Sequence, residues 1–307
     1  MFGFILNRLV SLIPILFVVV TVVFFLIHIV PGNPVDIMLG DNATALNRQA
    51  LEAQLGLDKP LGQQYMDYLL GLVQGDLGQS IYKQQSVVKM IIRSFPATLE
   101  LTLGSLFLSI LIGLPLGVLS AIKSHEKLDH VFSGLSMLGM SLPAYFLGPL
   151  LIWIFALSLD LFPVSERGGI GHLILPSLSL AIPLGSVLLR MVRASVMEVK
   201  SQDYIRTARS KGLSWKGMYF KHALKNAMIP ILTTVGLQLG ALLTGTVITE
   251  TIFDWPGIGT LLFNSIQQRD YPLIQGCILF VAVVYVLVNF ITDIAYSYFN
   301  PKVRITG

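Results

Sequence analysis

The sequence is short of charge and of cysteine. Only 12% of its 307 residues are charged, whereas 54% are hydrophobic, and the mean hydropathy is +0.73. A soluble domain of this length exposes more polar surface, so composition excludes an ordinary soluble enzyme. The single cysteine, Cys277, excludes an intrachain disulfide; it lies in an apolar run, and we interpret it as a small buried hydrophobe.

Signatures of catalysis are also missing. The sequence has no Gly-x-x-x-x-Gly-Lys-Ser/Thr phosphate loop, no His-Glu-x-x-His, no Gly-x-Ser-x-Gly and no Cys/His cluster with metal-ligand spacing. We therefore predict no catalytic residue, no metal site and no cofactor bound by this chain. The formal net charge of +4 does not indicate a nucleic-acid partner, because the basic residues cluster beside apolar blocks.

Long apolar blocks are what the sequence has instead. About 20 apolar residues in a helix cross the hydrocarbon layer of a membrane. Six blocks approach or exceed that length, and the predicted spans are 9–30, 97–122, 131–157, 173–194, 227–250 and 273–298. The first is too long for a signal-peptide core, so we interpret it as a retained span. Prolines interrupt the third and fourth spans, where simple kinking is predicted.

Lysine and arginine are distributed unevenly among the short loops. Seven of them lie between 200 and 225, whereas the opposite side offers only Arg167 and Arg269. Because positive residues are retained in the cytoplasm, this asymmetry places segment 195–226 on the cytoplasmic side of the membrane, and an even number of spans then places both termini there as well.

Segment 31–96 is too long for a plain connector in a compact protein. Helical periodicity predicts two short helices in it, at 45–55 and 62–73. The segment is therefore predicted to fold outside the membrane, either as a lid that packs on the spans or as a docking surface for an extracytoplasmic partner.

Charges near the ends of spans are costly and need an interpretation. Glu100 and Glu250 fall near the outer ends, where solvation at the membrane interface is the simpler interpretation. Arg190 and Asp293 fall near the inner ends and could pair with each other.

Small residues recur at the spacing that lets membrane helices approach closely. Gly-x-x-x-Gly pairs occur at Gly113/Gly117 and Gly236/Gly240. The pattern predicts helix packing but is common in membrane bundles, so it does not indicate a function.

The segment after span four is predicted to form a short helix that ends at a glycine and is followed by a second helix. Ser201 can cap the first helix and Gly212 can end it. Tyr204, Ile205 and Ala208 form an apolar patch between basic flanks. Such a helix suits either docking to a soluble partner or anchoring on anionic lipid, and composition leaves both open.

This segment resembles the cytoplasmic coupling loop, often called the EAA loop, of ABC importer permeases of the dipeptide/oligopeptide/nickel branch. The matching residues are Asp203, Tyr204, Arg206, Thr207, Ala208, Arg209, Lys211, Gly212, His222, Leu224, Asn226 and Ala227. Further motifs of that branch are Pro31-Gly-Asn-Pro34, Gly75-Asp-Leu-Gly-Gln-Ser80 and the stretch from Thr249 to Gly259. The resemblance covers nearly the whole chain.

The resemblance implies an all-α polytopic protein of the bacterial inner membrane with the type I ABC importer permease fold. Six transmembrane helices are expected, with an extracytoplasmic insert after the first. The implied domains are an N-terminal span 1–30, a periplasmic insert 31–96, a five-helix core 97–298 with the coupling loop at about 195–226, and a cytoplasmic tail 299–307.

The resemblance also implies partners and sites. The partners are a second homologous permease subunit, two cytoplasmic ABC ATPases that bind ATP and Mg²⁺, a periplasmic or lipid-anchored binding protein, membrane lipid and a peptide substrate. The residues implied in coupling to an ATPase are Asp203, Tyr204, Ile205, Arg206, Thr207, Ala208, Lys211 and Gly212. The residues implied in docking of the binding protein are Gly75, Asp76, Leu77 and Gly78.

Several functions remain open at this point. Peptides are favoured because the spans lack a cluster of histidines or carboxylates for a bare metal ion. Glutathione or a nickel complex are alternatives within the same branch. From a different class, the chain could be an ATP-independent channel or a secondary transporter, although the latter would normally carry more buried ionisable groups.

Overall fold

The computed structural model describes residues 13–25, 35, 49, 52–53, 56–200, 202–203, 205, 210 and 224–299; within the last range, side chains are described for 227–292 and 294. This part of the chain is helical apart from turns, loops and one isolated antiparallel bridge between Gln79 and Ser86. The prediction of an all-α fold is confirmed for these residues.

The helices are α1 Ile13–Phe25, α2 Leu61–Val73, α3 Val87–Ile122, α4 Lys127–Ser141, α5 Ala144–Leu151, α6 Ile170–Lys200, α7 Leu224–Gly245, α8 Val247–Ile252, α9 Ile258–Gln267 and α10 Tyr271–Phe299. A π-helical stretch, Ile152–Ser158, continues α5. We call the end of the bundle that carries 56–86 the insert side, and the end that carries 123–126 the loop side.

Helices α3, α6, α7 and α10 are long and apolar enough to cross a membrane. The bent pair α4–α5 adds a fifth span if it is counted as one. The described part of α1 is apolar but shorter than a span, and the predicted first span, 9–30, extends beyond it on both sides. The described residues therefore contain four spans, or five with the bent pair, of the six predicted.

The third predicted span is broken, whereas the sequence predicted a continuous, kinked helix over 131–157. The axes of Lys127–Ser141 and Ala144–Ser158 differ in direction by 102°. Leu142 and Pro143 between them both have extended backbone angles. Proline disfavours the helical conformation of the residue before it, so the helix ends at this point instead of bending through it.

Helix α3 begins at Val87, well before the predicted span start at 97. Its 36 residues reach about 54 Å at 1.5 Å per residue, longer than the hydrocarbon layer is thick. The helix contains Pro96 and Pro115 without breaking. The predicted boundary between insert and core, at 96/97, therefore falls inside one continuous helix.

Two glycines allow α3 and α6 to pack closely against each other. A Cβ at Gly113 would lie 2.6 Å from the Gly185 carbonyl oxygen, and one at Gly117 would lie 2.7 Å from the Leu189 carbonyl oxygen. Around this contact Val118, Leu188 and Val192 form a buried cluster. The packing role predicted for the Gly113/Gly117 pair is confirmed. Gly236 and Gly240 are packed in the same way against Thr292 and Tyr285 of α10.

The fifth predicted span, 227–250, ends earlier in the structure. Helix α7 stops at Gly245, and the short helix α8 follows after Thr246. Helix α9, from Ile258 to Gln267, was not predicted, because its ten residues are too few for a span. Both short helices lie on the insert side and build the surface that covers the first turns of α3.

The insert rests on the first helix. The predicted helix at 62–73 is confirmed as α2, Leu61–Val73. The Tyr65 hydroxyl lies 2.7 Å from Thr21 Oγ1 of α1, and the Phe24 ring lies 5.1 Å from the Tyr65 ring. Of the predicted helix at 45–55, residues 49, 52 and 53 are described, and all are helical. In this part the insert packs on α1, as a lid would.

Candidate functional site

Asp129, near the start of α4 on the loop side, is buried and joins three helices. Its carboxylate accepts hydrogen bonds from Nε and Nη2 of Arg193 in α6, both at 2.7 Å. It also accepts from Ser120 Oγ of α3 at 2.5 Å and from the His125 backbone N–H at 3.0 Å. A bidentate arginine–carboxylate pair fixes geometry, so the loop-side ends of α3, α4 and α6 are held together.

The predicted coupling segment follows α6 on this side. Asp203 is exposed, and so is Ser210. Lys200 at the end of α6 donates a hydrogen bond to Ser124 Oγ at 3.3 Å, which connects the start of the segment to the α3–α4 turn. The remaining predicted coupling residues, Tyr204, Arg206, Thr207, Ala208, Lys211 and Gly212, lie outside the described part of the chain.

Ile205 lies in the protein's own core. It is 4% exposed and belongs to the buried cluster with Val118, Val196 and Ala227. The expectation that its side chain contributes to an outward apolar patch is therefore wrong. An aliphatic side chain beside three spans gains more by packing on them than by facing water, and it anchors the segment to the bundle.

The predicted docking segment, Gly75–Gly78, forms a tight turn after α2. Gly75 and Gly78 have φ of +75° and +80°, a conformation in which glycine is favoured. The Asp76 carboxylate accepts a hydrogen bond from the Gly78 N–H at 2.9 Å. Gly75 and Asp76 are exposed, whereas Leu77 packs against the cluster of α3 and α10 residues that includes Val87 and Leu273. Only the first half of the motif faces solvent.

Asp270 attaches loop 79–86, which follows the Gly75–Gly78 turn, to the start of α10. It is fully buried; it accepts a hydrogen bond from Ser80 Oγ, and from the N–H groups of Ile81 at 3.2 Å and Leu273 at 3.3 Å. Ser80 Oγ in turn accepts from the Lys83 N–H at 2.9 Å. Together with the Gln79–Ser86 bridge, these bonds hold loop 79–86 in one conformation on the insert side.

Glu250 of α8 is the second buried carboxylate on the insert side. It accepts hydrogen bonds from Thr98 Oγ1 at 2.7 Å, Thr246 Oγ1 at 3.0 Å and the Thr260 N–H at 2.9 Å. It is 0% exposed, so interfacial solvation was the wrong interpretation for this residue. Burial is tolerated because the carboxylate has three donors and stands at the N-terminus of α9.

Two glycines make room for that carboxylate. A Cβ at Gly257 would lie 2.3 Å from Glu250 Oε1, and one at Gly259 would lie 2.8 Å from Glu250 Oε2. Beside them the Trp255 indole donates a hydrogen bond to the Ala97 carbonyl at 2.7 Å. The stretch Thr249–Gly259 is thus a structural motif that fastens α8 and α9 to α3.

Glu100, unlike Glu250, is not buried. It is partly exposed and pairs with Arg167 of the loop between α5 and α6, Nε to Oε2, at 2.8 Å. In the same loop the Glu166 N–H donates to the Phe253 carbonyl at 2.9 Å. The other proposed pair, Arg190 with Asp293, stays a prediction, because the Asp293 side chain lies outside the described residues.

No group of three or more His, Cys, Asp or Glu side chains in the described part of the chain could hold a metal ion. The arrangement there is that of a helical bundle with a hydrogen-bonded cap on the insert side and a clamped turn on the loop side.

Comparison with known families decides the class of protein. Residues 113–305 match the profile of the binding-protein-dependent transport system inner membrane component, and residues 1–102 match that of the N-terminal part of such membrane components. The chain belongs to this family of transport permeases. Family membership makes the permease an inner-membrane transport component, as the coupling-loop resemblance predicted.

Relatives match the permease over its whole length. It is 43% identical to the di/tripeptide transport system permease DppB of Pseudomonas aeruginosa, with 99% of each chain covered. It is 40% identical to the dipeptide permease DppB and to the glutathione permease GsiC of Escherichia coli K12, again over 99% of each chain.

Solved structures resemble the permease in fold. An inward-facing structure of the MetNI methionine ABC transporter has a TM-score of 0.59 at 19% identity. The alignment covers 69% of this chain and 96% of the chain in that structure. An amino acid ABC transporter has a TM-score of 0.52 at 19% identity, and the alignment covers 70% of this chain and 94% of the chain in that structure. The fold is therefore that of an ABC importer permease.

Sequence reasoning missed the two clamps that the structure forms around Asp129 and Asp270. Their partners Arg193 and Ser80 are 64 and 190 residues away, so no local spacing connects them. One local signal was available. Asp129 lies in the first turn of α4 and Asp270 directly precedes α10, and acidic residues at helix starts often accept backbone N–H groups.

Proposed function

We propose that the permease translocates di- and tripeptides across the inner membrane as the pore subunit of an ATP-driven importer. The observation that carries this proposal is the 40–43% identity to di/tripeptide permeases over 99% of each chain. The permease itself performs no covalent chemistry. Its partners are a second permease subunit, two ATPases that bind ATP and Mg²⁺, and a binding protein that selects the substrate.

Uptake by reconstituted vesicles tests this proposal. Vesicles containing the complete complex, loaded with ATP and supplied with the binding protein, should accumulate a labelled dipeptide. Omitting ATP or the ATPases should abolish accumulation. Uptake that continues without ATP would instead support a channel or a secondary transporter.

Glutathione is the second candidate substrate. The glutathione permease GsiC is as similar to this chain as the Escherichia coli dipeptide permease, at 40% identity. Competition separates the two candidates: excess dipeptide should block uptake of labelled dipeptide, whereas excess glutathione should not. The reverse pattern would make the permease a glutathione importer.

The segment 202–211 is proposed to contact one ATPase, with Tyr204 and Ala208 at the contact. Support comes from its match to the coupling loop and from its anchoring, since Ile205 is buried in the α3–α6–α7 cluster and Lys200 bonds to Ser124. The Asp129–Arg193 clamp lies next to this segment. Movement of an ATPase against it would thus reach three helices at once.

The insert, residues 31–96, is proposed to lie in the periplasm and to receive the binding protein at Gly75–Gly78. Segment 195–226 and both termini are then cytoplasmic, with the core at 97–298 and the tail at 299–307. Gly75 and Asp76 are exposed, and Asp270 holds the adjoining loop in place. A pre-ordered surface is bound at lower entropic cost than a mobile one.

Cysteine labelling tests this orientation. The native Cys277 is fully buried, so a single introduced cysteine can be read without interference. In intact spheroplasts, an impermeant thiol reagent should label Lys83→Cys but not Ser210→Cys; both positions are exposed in the structure. The opposite labelling pattern would reverse the proposed orientation.

A further inference from the structure

A cleft of about 410 Å³ opens on the insert side of the permease. It lies between α2, loop 79–86 and the first turns of α10, with Phe24 of α1 at its edge. Its size falls within the roughly 300–1,000 Å³ that is usual for small-molecule sites. Side-chain amides are prominent in its lining: Gln64, Gln79, Gln84 and Gln275.

One polar atom of this lining, the Tyr68 hydroxyl oxygen, is buried without a hydrogen-bond partner in the described part of the chain. Gln275 also lines the cleft and is 9% exposed. Buried polar groups in folded proteins are nearly always hydrogen-bonded, so the unpartnered Tyr68 hydroxyl indicates that the cleft is made to be filled.

The Tyr68 hydroxyl is held ready to donate. Burial raises the pKa of Tyr68 to about 12, so the hydroxyl keeps its proton at neutral pH. The ring stacks on Phe24 with 5.8 Å between centroids, which fixes its direction. Gln275, one turn into α10, both donates and accepts, as an amide ligand requires.

An ion pair also lines the cleft. Lys59 Nζ and Asp67 Oδ2 are 2.7 Å apart, and the two side chains are 43% and 50% exposed. An ion pair this exposed contributes little to stability, so exchanging it for contacts to a ligand is inexpensive. A ligand with one positive and one negative end matches this pair.

We propose that this cleft is a second binding site for a short zwitterionic peptide, in which Gln275 and Tyr68 bond the peptide backbone while Lys59 and Asp67 face its charged ends. The proposal rests on the proposed function, because it takes the transported class of substrate as its ligand. It adds a peptide site on the permease itself, separate from the site on the binding protein. Such a site would retain a delivered peptide at the insert side while the spans open.

The test measures peptide binding to the complete complex in nanodiscs, without the binding protein. Equilibrium dialysis with labelled dialanine should show binding that Gln275→Leu and Tyr68→Phe each weaken about fivefold to tenfold, as expected for the loss of one neutral hydrogen bond. Dialanine with both termini blocked should also bind more weakly. The matched controls Gln267→Leu and Tyr82→Phe change exposed residues outside the cleft and should bind as the unmodified complex does.

Other outcomes would overturn the proposal. Equal binding by all variants, or no binding, would mean that the cleft holds only water. If the two cleft variants lost binding-protein association instead of dipeptide binding, the occupant would be a segment of that protein. Tyr68→Phe retains the ring, so its melting temperature should match that of the unmodified complex and confirm folding. Uptake with binding protein and ATP is measured in parallel. If the complex imports dipeptide but does not bind dialanine in dialysis, the cleft is rejected as a peptide site while the proposed transport function stands.

Discussion

Thr98 Oγ1 donates a hydrogen bond to Glu250 Oε1 at 2.7 Å, across 152 residues of sequence. Thr98 Oγ1 also accepts a hydrogen bond from the Ile258 N–H at 2.8 Å. One threonine thus bonds both the buried carboxylate and the first turn of the helix that this carboxylate caps. The relationship ties α3, α8 and α9 into a single cap on the insert side.

Replacing Thr98 by valine should destabilise this cap with little change of shape. The Ile258 N–H loses its acceptor and Glu250 loses one donor, at an expected cost of about 1–3 kcal/mol. A lower thermal unfolding midpoint of the purified permease would report the loss. Thr251→Val is the control, since Thr251 is exposed and its hydroxyl donates to the Val247 carbonyl of the same helix. Equal midpoints for both variants would contradict the assigned role.

Gly117→Ala should separate α3 from α6. The added Cβ would lie 2.6 Å from Val192 Cβ and 2.7 Å from the Leu189 carbonyl oxygen, and neither can move without shifting a helix. Overpacking of this kind costs about 1–3 kcal/mol. The expected readout is a lower melting temperature or loss of folded protein on size-exclusion chromatography. Gly134→Ala in α4 meets nothing within 4 Å and should be neutral or slightly stabilising.

Asp270→Asn should loosen loop 79–86. The amide nitrogen that replaces one carboxylate oxygen cannot accept from Ser80 or from the loop N–H groups, so one anchor of the loop is lost. Amide hydrogen exchange in this loop should rise about tenfold, as expected for loss of about 1.4 kcal/mol. Stimulation of ATP hydrolysis by loaded binding protein should fall with it. Asp254→Asn, at an exposed position, should change neither quantity.

Ala208→Trp tests the proposed coupling helix. A large ring at a contact position should hold the segment away from the ATPase, so that ATPases no longer co-purify or hydrolysis no longer drives uptake. Membrane insertion should be unaffected. Lys127→Trp, an exposed substitution on the loop side, controls for the added bulk. A segment that only anchors on lipid would tolerate Ala208→Trp, and undiminished ATPase binding with normal uptake would reject the coupling role.

Much of the fold was predictable because membrane spans are encoded locally. A run of apolar residues long enough to cross the bilayer forms a helix whatever its neighbours, since unpaired backbone groups are too costly in hydrocarbon. The existence of α3, α6, α7 and α10 as apolar spans, the helix at 62–73 and the Gly113/Gly117 contact followed from such local patterns, although the ends of α3 and α7 did not. The coupling-loop resemblance, confirmed at the level of the family, likewise depended on consecutive residues.

The tertiary structure alone decided how the charged residues at the span ends are used. Glu250 and Asp270 are both buried at helix starts on the insert side, but their donors Thr98 and Ser80 come from distant parts of the chain. Ile205 turned inward for a similar reason, because Val118 and Ala227 meet at the loop side only once the bundle forms. Local sequence sets whether a segment crosses a membrane; whether a polar or apolar side chain there meets water depends on helix packing, which no short stretch encodes.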